Sequence, residues 1–422
     1  MASRETLGVG FVGAGFIGHF HARSWQGVRD ADIVAVSSRS LSSAEELAQT
    51  ATELGVGQDI AAYDDVVSLV QDPRVEAIWV LVPNHVRVEV IRAICDEVTS
   101  GHAQLKAIAV EKPLGRTVAE AREVLRLVTE AGLLHGYLEN QLYAPGIGRA
   151  HELVWARGAA ASGSPYLARC AEEHSGPHNT WFWNGETEGG GVLSDMMCHS
   201  VEAGRFLLTP PGKSAADWLT PVSVHATIAS LKWGRGNYAQ KLQEMYPGVV
   251  DYTKTPSEDY AHALFEFVNG DGEPVCVEAT TSWSYVGAGL RLSFELLGPE
   301  YSMASNTLAP ETTMFISREL RQEEGEDLLE KQNAEQGLMP VVADEAATYG
   351  YTGENQALAS MFLRGEQPLV SLENGLQVVE LLMAAYQSAQ TGQKVYFPVD
   401  LADFVPDVAQ GKWNPRAKDA TD

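Results

Sequence analysis

The sequence has few cysteines, few positive charges and no long apolar run, and each shortage excludes a class of protein. Its 4 cysteines are scattered without Cys-x-x-Cys spacing, which argues against a disulfide framework. No stretch approaches the roughly 18 apolar residues of a membrane span. A net charge of −26 disfavours nucleic acid and anionic lipid as partners. We therefore expect a cytoplasmic protein with reduced thiols and no polyanionic partner, although one local anion site remains open.

The chain is long enough for two domains, because 422 residues exceed the usual size of one hydrophobic core. From Leu7 to about Gln141, short Val/Ile/Leu runs alternate with amphipathic stretches of helical length. Such runs are typical of strands that are covered on both faces, as in a doubly wound parallel sheet. The pattern predicts an α/β fold in which residues 1–141 form a first domain around such a sheet.

After residue 141 the pattern changes to β-rich runs with turn sequences such as NGDGEP at residues 269–274, which predicts an antiparallel sheet of hairpins. We assign residues 142–395 to a second α/β domain with a large open, mostly antiparallel sheet, and residues 396–422 to a C-terminal tail. Residues 234–258 form a long insertion that we expect to be irregular and to cover a substrate cleft of the same or a neighbouring subunit.

The stretch GVGFVGAGFIGHFHA, residues 8–22, places three glycines between an apolar strand and a helix-compatible segment. This is the context that a G-x-G-x-x-G dinucleotide fingerprint requires. The first glycine permits the tight turn, the second lets backbone N–H groups approach a pyrophosphate, and the third allows close helix–strand packing. We predict that a dinucleotide binds at the positive end of this helix, with contacts from Gly13, Gly15, Phe16, Ile17 and Gly18. Residues 1–141 are therefore assigned to a Rossmann NAD(P)-binding domain.

The next strand ends in AVSSRS, at a point where NAD-binding domains usually have an acidic residue for the ribose hydroxyls. No acid stands at Ser37, Ser38 or Arg39. Hydroxyl groups and a guanidinium suit a 2′-phosphate, because arginine presents a bidentate fork to phosphate oxygens. The strand end therefore favours NADP without excluding NAD. Alternatively, Arg39 is only a solvated charge beyond the strand.

Two later strand ends should face the same crevice, because ligands of open α/β sheets lie outside the carboxyl ends of the strands. One strand ends in VLVPNH and the other in AVEKPLG. Proline drives the residue before it into an extended conformation, which would fix where the Lys112 ammonium points. Alternatively, Lys112 is only a solvated charge at a strand end. The additional cofactor-site candidates are Pro83, Asn84, His85, Glu111 and Lys112.

A glycine run at residues 189–191 leads into a helix-compatible segment on which Asp195 and His199 share a face, because they lie four positions apart. An aspartate beside a histidine can orient the imidazole as a general base. Alternatively, Asp195 is a helix N-terminal charge and His199 a core histidine, or the two ligate a metal. Two ligands without a third at motif spacing are weak evidence for zinc, so we predict no metal site.

In this order, the motifs G-x-G-x-x-G, E-K-P and G-G-G-x-x-x-D-x-x-x-H resemble those of the Gfo/Idh/MocA family (glucose–fructose oxidoreductase, inositol dehydrogenase and rhizopine catabolism), from about residue 7 to about residue 300. The resemblance implies a Rossmann domain, a C-terminal domain for substrate and oligomer contacts, and redox chemistry at a sugar or cyclitol C–OH with NAD or NADP. By position, it implies that Lys112 lies near the nicotinamide, that Asp195 holds the substrate, and that His199 is the acid/base.

The sequence departs from the family pattern at two places. The family often has P-N-x-x-H after the fourth strand, whereas Arg87 stands at the histidine position here, so we expect the helix entry to pack differently. Many members also have an arginine before the proline in the segment that matches ENQLYAPG, residues 139–146. Its absence leaves the substrate contacts of that segment open.

Residues 172–184, EEHSGPHNTWFWN, lie just before the glycine run and should reach the same site. Their aromatic rings could form an apolar wall beside polar contacts, as in sites for small polyols, or could pack beneath the loop. We predict substrate contacts from Lys112, His178, Trp181, Trp183, Asp195 and His199.

Together these features favour an NAD(P)-dependent dehydrogenase that acts on a sugar, glycoside or cyclitol and forms a homodimer or homotetramer. One alternative is an NAD-retaining glycosidase that uses transient oxidation, and cofactor that copurifies without net turnover would favour it. The other is a non-enzymatic sugar or dinucleotide sensor. The presence of Lys112, Asp195 and His199 argues against a sensor.

Overall fold

The computed structural model of the protein describes residues 6–316 and 337–415, which belong to two compact units. The first unit contains the chain up to Gly148 together with Ala346–Gln377, and the second contains Arg149–Glu345 together with the chain from Val378 onward. The end of the predicted C-terminal tail, residues 416–422, lies outside the described residues.

The apolar runs near the N-terminus form one parallel sheet in the first unit. Its strands are β1 (Leu7–Val12), β2 (Ala31–Ser37), β3 (Ala61–Tyr63), β4 (Ala77–Val80), β5 (Ala107–Glu111) and β6 (Leu134–Leu138). The strand order β3-β2-β1-β4-β5-β6 is that of a dinucleotide-binding Rossmann fold, which confirms the predicted fold class. All residues of β1, β4 and β5 are buried, as expected for a sheet that is covered on both faces.

Five helices connect these strands, and two of them begin at a polar side-chain cap. The helices are α1 (Phe16–Ser24), α2 (Leu41–Glu53), α3 (Val66–Val70), α4 (Asn84–Thr99) and α5 (Val118–Glu130). The side chain of Asp65 accepts a hydrogen bond of 2.8 Å from the Ser68 amide at the start of α3, and Thr117 caps α5 in the same way through the Glu120 amide at 3.2 Å. Such N-caps satisfy backbone donors that have no partner within the helix.

The second unit is built on a seven-stranded sheet in the order β12-β11-β7-β10-β9-β8-β15. The strands are β7 (Leu167–Glu173), β8 (Thr220–Ala229), β9 (Tyr260–Val268), β10 (Pro274–Ser282), β11 (Arg291–Leu297), β12 (Ser302–Asn306) and β15 (Val395–Tyr396); β13 (Thr313–Ile316) and β14 (Gly337–Pro340) form a separate antiparallel pair. The predicted mostly antiparallel sheet is confirmed. Hairpins alone do not build this sheet, because β7 pairs in parallel with β10. Strand β7 was not predicted from the sequence.

Along the middle of the chain the helices are α6 (Pro145–Leu153), α7 (Ala160–Ser162), α8 (Gly185–Glu188), α9 (Val192–Leu207), α10 (Ala215–Trp218) and α11 (Gly236–Met245). Helix α11 corrects the prediction that residues 234–258 are irregular. Its Ala239 and Leu242 are buried, and their spacing of three residues places them on one face of a helical turn. A short amphipathic helix therefore stands where the sequence was read as a loop.

The chain returns to the first unit before it ends, through α12 (Glu345–Thr348), α13 (Tyr351–Leu363) and the start of α14 (Leu372–Thr391). Leu358 and Phe362 of α13 belong to the core of the parallel sheet, and the Phe362 ring lies 5.8 Å from that of Trp79. The predicted domain boundary at residue 141 did not include this return. Among the described residues, no helix is both long and apolar enough to cross a membrane.

Candidate functional site

The glycine turn after β1 has the geometry that a bound dinucleotide needs. Gly13 has a φ of +119°, and a Cβ there would lie 2.5 Å from the Leu81 carbonyl oxygen. A Cβ at Gly18 would lie 2.4 Å from the Gly13 carbonyl oxygen, whereas a Cβ at Gly15 would meet nothing within 4 Å. The first and third glycines are thus required by packing, and the second leaves open space beside the turn. No side chain caps α1 at Gly15, so the residues present fit a pyrophosphate at the helix N-terminus.

The other two predicted contacts of this turn lie at the start of α1. Phe16 is 48% exposed, and Ile17 is half-buried. The Gly13 amide donates a hydrogen bond of 2.9 Å to the carbonyl oxygen of Ser37, which joins the turn to the end of β2. The turn and the predicted ribose-binding strand end are therefore held side by side.

Ser38 and Arg39 follow the end of β2 directly. Ser38 is half-buried and Arg39 is exposed, and no described residue forms an ion pair or hydrogen bond with the Arg39 side chain. Burial lowers the pKa of His85, and the positive charges of Arg116 and Arg39 lower it further. These cations are therefore near His85, at the start of α4. Arg116 was not predicted, and its guanidinium is paired with Glu120.

Glu111 links the end of β5 to buried polar groups behind it. Its Oε1 lies 2.9 Å from Nε2 of His21, and its Oε2 accepts a 3.0 Å hydrogen bond from the Lys112 amide. Burial opposes ionisation of this carboxyl, but the hydrogen bond with His21 and the charges of His21, Lys112 and Arg87 together lower its pKa. On the far side of the imidazole, Nδ1 lies 3.0 Å from Nδ2 of Asn355 in α13.

Arg87 holds the peptide backbone around Lys112 from the opposite side. Its side chain is almost fully buried, at 2% exposure. The guanidinium donates hydrogen bonds to the carbonyl oxygen of Pro113, to that of Val82 at 3.1 Å and to that of Lys112 at 3.4 Å. The helix entry therefore packs on the E-K-P segment through the residue that departs from the family pattern. Lys112 has its N–H held by Glu111 and its C=O held by Arg87, and the Lys112–Pro113 bond is cis.

Asn84 and Pro83 complete the predicted cofactor contacts at the end of β4. Pro83 precedes α4 in an extended conformation, with ψ of 152°. Asn84 is the first residue of the helix and is 2% exposed. These residues join β4 to α4, and Arg87 lies one turn further along that helix.

In the second unit, Asp195 and His199 both lie on α9, as predicted, and are 5% and 4% exposed. The indole N–H of Trp283 donates a 3.1 Å hydrogen bond to Oδ2 of Asp195. Trp283 was not among the predicted site residues, although it follows β10 directly. A tryptophan at the end of a predicted strand could have indicated this contact, because the N–H of a buried indole usually finds a hydrogen-bond partner.

The residues predicted to contact the substrate from this loop divide into two groups. His178 is exposed, and Trp181 is half-buried with its ring stacked 3.7 Å from that of Phe182. Trp183 is 1% exposed, and its ring packs 5.0 Å from Trp233 and 5.2 Å from Trp283. This burial favours a packing role for Trp183, because a substrate cannot reach an enclosed ring.

The insertion of residues 234–258 packs on this aromatic segment. The Tyr252 hydroxyl donates to the Trp183 carbonyl oxygen at 2.9 Å, and the Tyr246 hydroxyl donates to that of Pro177 at 3.2 Å. The insertion thus supports the loop that precedes the glycine run. In residues 6–316 and 337–415, no group of three or more His, Cys, Asp or Glu side chains is arranged to hold a metal ion.

Sequence comparison identifies two family matches that together cover more than half of the chain. Residues 7–137 match the oxidoreductase family with an NAD-binding Rossmann fold. Residues 158–303 match the GFO/IDH/MocA C-terminal domain. The two matches fall on the two sheets described above, in the order expected from the motifs.

Curated relatives include proteins named for reactions of sugars and cyclitols. A 1,5-anhydro-D-fructose reductase from Ensifer adhaerens is 32% identical over 202 residues, which cover 47% of this chain and 56% of the relative. A levoglucosan dehydrogenase from Pseudarthrobacter phenanthrenivorans is 24% identical over 314 residues, which cover 72% of this chain and 74% of the relative. The matched regions therefore span between about half and three quarters of these relatives.

Solved structures with the same fold extend over almost the whole chain. GenD2 from gentamicin A biosynthesis, in complex with NAD, has a TM-score of 0.73 at 26% identity and covers 94% of this chain and 97% of its own. A levoglucosan dehydrogenase in complex with NADH has a TM-score of 0.65 at 19% identity, with 94% and 100% covered. With both domain families matched in order, the chain belongs to the Gfo/Idh/MocA family of oxidoreductases.

Proposed function

We propose that the protein is an NAD(P)-dependent dehydrogenase that oxidises or reduces a C–OH group of a sugar, glycoside or cyclitol. The observation that carries the proposal is in the first unit, where an open glycine turn for a dinucleotide accompanies a lysine whose backbone is fixed by Glu111 and Arg87. The names of the relatives, among them a levoglucosan dehydrogenase and an inositol 2-dehydrogenase, support the substrate class.

We assign the proton chemistry to Lys112, Asp195 and His199. The nicotinamide supplies the hydride chemistry. The Lys112 ammonium orients the reacting hydroxyl, and the His199 imidazole takes or returns its proton as the general base or acid. The Asp195 carboxyl, held by Trp283, binds the substrate. Fixed backbone and side-chain positions lower the entropic cost of reaching the reactive geometry.

We propose further that NADP is preferred over NAD. The support is the absence of an acidic side chain at Ser37, Ser38 and Arg39, together with an exposed Arg39 that no described residue pairs. An acid at this position would repel a 2′-phosphate, whereas arginine can bind it with two hydrogen bonds. Solved relatives are in complex with NAD or NADH. The preference is therefore tested by comparing NADP with NAD directly in this protein.

We also propose a homodimer or homotetramer in a reducing, cytoplasmic compartment, with the dinucleotide held by the first domain and the substrate by the second. The cysteines Cys95, Cys170, Cys198 and Cys276 are all free, and three of them are buried. Free, buried thiols are typical of proteins that function where disulfides do not form.

A cofactor-reduction screen tests the function. Purified protein is incubated with NADP⁺ or NAD⁺ and a panel of sugars, inositols and glycosides, and absorbance of the reduced nicotinamide is followed. Substrate-dependent reduction that is lost in Lys112→Ala but kept in Lys106→Ala supports the proposal, since Lys106 is an exposed lysine of the same unit paired with Glu76. Glycoside hydrolysis with copurified cofactor and no net reduction would contradict it and identify a glycosidase.

A further inference from the structure

The helix that carries Asp195 and His199 starts without a capping residue of its own. Its N-cap is Gly191, which has no side chain, and the preceding residues are Gly189 and Gly190. Glycine loses more conformational freedom on folding than any other residue, and the first four N–H groups of a helix have no intrahelical acceptor. Acceptors for the first turn of α9 must therefore come from elsewhere in the chain.

Glu258 supplies most of these acceptors. Its carboxylate oxygen Oε1 accepts hydrogen bonds of 3.0 Å from the amides of Gly191 and Leu193. Its main-chain carbonyl oxygen accepts a 3.0 Å hydrogen bond from the Val192 amide. One residue just before β9 thus satisfies three consecutive backbone donors of the helix start.

Tyr386 of α14 completes the set. Its hydroxyl oxygen accepts from the Ser194 amide at 3.2 Å and from the Gly191 amide at 3.0 Å. The same hydroxyl donates its proton to Oε1 of Glu258 at 2.6 Å. The amides of residues 191–194 are then all paired, although none of their partners lies within the helix.

The two capping side chains also explain why the sequence has glycines here. A Cβ at Gly190 would lie 1.9 Å from the Tyr386 hydroxyl oxygen, and a Cβ at Gly191 would lie 2.6 Å from the Glu258 carboxyl oxygen Oε2. Real Cβ atoms do not approach other heavy atoms this closely. Tyr386 and Glu258 therefore occupy the space that side chains at Gly190 and Gly191 would need.

The cap is enclosed and electrostatically unusual. Glu258 is 0% exposed, and burial raises its pKa to about 7 in spite of the hydrogen bonds from Tyr386 and from the backbone. Burial also raises the pKa of Tyr386, and the negative charge of Glu258 adds to that effect. Oε2 of Glu258 has no hydrogen-bond partner among the described residues. Burial of an ionisable carboxyl is unfavourable. The presence of Glu258 here therefore indicates that the start of α9 requires its acceptor oxygens.

We propose that Glu258 and Tyr386 are positioning residues that order the first turn of α9 and thereby hold Asp195 and His199 in their working positions. The inference rests on the proposed function for the roles of Asp195 and His199. Asp195 lies in the first turn of the helix, and its own amide donates to the Gly191 carbonyl oxygen at 3.1 Å. Displacement of Gly191 would therefore move Asp195 directly.

The test compares Glu258→Ala, Glu258→Gln and Tyr386→Phe in the full chain with Glu266→Gln as the control. Glu266 is a carboxylate of the neighbouring β9 that forms an ion pair with Lys394 and a hydrogen bond with Ser223, both away from the glycine run. Amide hydrogen exchange of residues 189–195, dinucleotide affinity, kcat and KM are measured for each protein. Glu258→Gln retains an acceptor oxygen, so it should keep more activity than Glu258→Ala.

We expect about tenfold faster exchange at residues 191–194 in Glu258→Ala and Tyr386→Phe, the scale of a lost helix cap. We expect kcat to fall roughly 10- to 100-fold, as for a small displacement of catalytic groups, with unchanged dinucleotide affinity. If Glu258→Ala does not fold, Tyr386→Phe carries the test, because it retains the carboxylate.

Unchanged exchange, or normal kcat in variants with faster exchange, would overturn the proposal. The control should match the wild-type protein in every measurement. If the wild-type protein turns over no member of the substrate panel, the proposed function fails, and hydrogen exchange alone then decides whether the cap orders the first turn. The failure of one proposal is therefore distinguishable from the failure of the other.

Discussion

The indole N–H of Trp283 donates a hydrogen bond to Oδ2 of Asp195 across 3.1 Å. Trp283 is 0% exposed and Asp195 is 5% exposed, so the bond forms away from bulk water, where hydrogen bonds are electrostatically stronger. The tryptophan follows β10, and the aspartate lies 88 positions earlier, on α9. The bond therefore fixes the orientation of the Asp195 carboxyl, which is predicted to bind the substrate. Its donor follows a strand that carries none of the recognised motifs.

The first prediction follows from this bond. Trp283→Phe keeps most of the ring packing but removes the donor, so we expect kcat to fall about tenfold, the lower end of what a hydrogen bond to a charged group contributes. Trp233→Phe is the matched control, because its indole N–H donates to the Trp283 carbonyl oxygen at 2.8 Å in the same cluster. Steady-state kinetics that place both variants at the wild-type rate would show that Asp195 needs no such donor.

The second prediction concerns proton transfer. Lys112→Ala and His199→Ala should each lower kcat by about 10²- to 10⁴-fold, the usual scale of general acid–base catalysis, while dinucleotide affinity measured by fluorescence titration stays nearly constant. Lys106→Ala and His225→Ala serve as controls at exposed positions. Near-normal turnover in both test variants would reject the assigned roles.

The third prediction concerns cofactor choice. Ser38→Asp and Arg39→Ala should shift the ratio of kcat/KM values from NADP towards NAD. Loss of a charge-assisted contact corresponds to about 1.5–3 kcal/mol, or roughly 10- to 150-fold in affinity. Arg29→Ala, at an exposed arginine of the same unit, should leave the ratio unchanged. A wild-type preference for NAD that Arg39→Ala does not alter would contradict the assignment.

The fourth prediction uses the family departure at Arg87. Arg87→His restores the residue that the family often has, but it removes the guanidinium that holds the carbonyl oxygens of Pro113 and Lys112. We expect a lower kcat, and a free energy of unfolding that is lower by up to about 3–5 kcal/mol, because buried polar groups lose their hydrogen-bond partners. Arg92→His, at an exposed arginine of α4 that pairs with Glu123 of α5, should change neither. Equal thermal midpoints and rates in the two variants would exclude a special role for Arg87.

The fifth prediction is a pH dependence of stability. Burial raises the pKa of Glu258 from 4.5 to about 7, so between these values the folded protein binds more protons at this site than the unfolded chain. By linkage, the contribution of Glu258 to stability is largest below its unfolded pKa, declines as pH rises to about 7 and is constant above that. At about 1.4 kcal/mol per pKa unit, the full change is about 3 kcal/mol.

Urea unfolding at pH 5 and pH 7.5 measures this change. The wild-type protein should lose more unfolding free energy between the two values than Glu258→Gln, which cannot ionise. Glu354 also has a raised pKa, caused by burial and by Glu111 and Glu139, but it is present in both proteins and cancels in the difference. The same pH slope in both proteins would show that Glu258 does not titrate in this range.

Much of the first unit could be predicted from the sequence because its signals are local. The run LGVGFV is long and apolar enough to indicate a buried strand. Gly13, Gly15 and Gly18 follow it at the fixed spacing of the dinucleotide motif. Helix α9 was predicted for the same reason, since Asp195 and His199 lie one turn apart in a continuous helical pattern. The helix within residues 234–258 was missed, because only Ala239 and Leu242 of its ten residues are buried.

By itself the sequence determined the Rossmann fold, the mostly antiparallel second sheet and the family, because these depend on periodicity and on short motifs of contiguous residues. Only the tertiary structure decided which distant groups hold those motifs: Arg87 at Lys112, Trp283 at Asp195, and Glu258 with Tyr386 at the glycine run. Burial decided each of these contacts. A polar side chain that leaves water must find a partner in space, and the chain positions 195 and 283, or 258 and 386, give no local sign that they will meet.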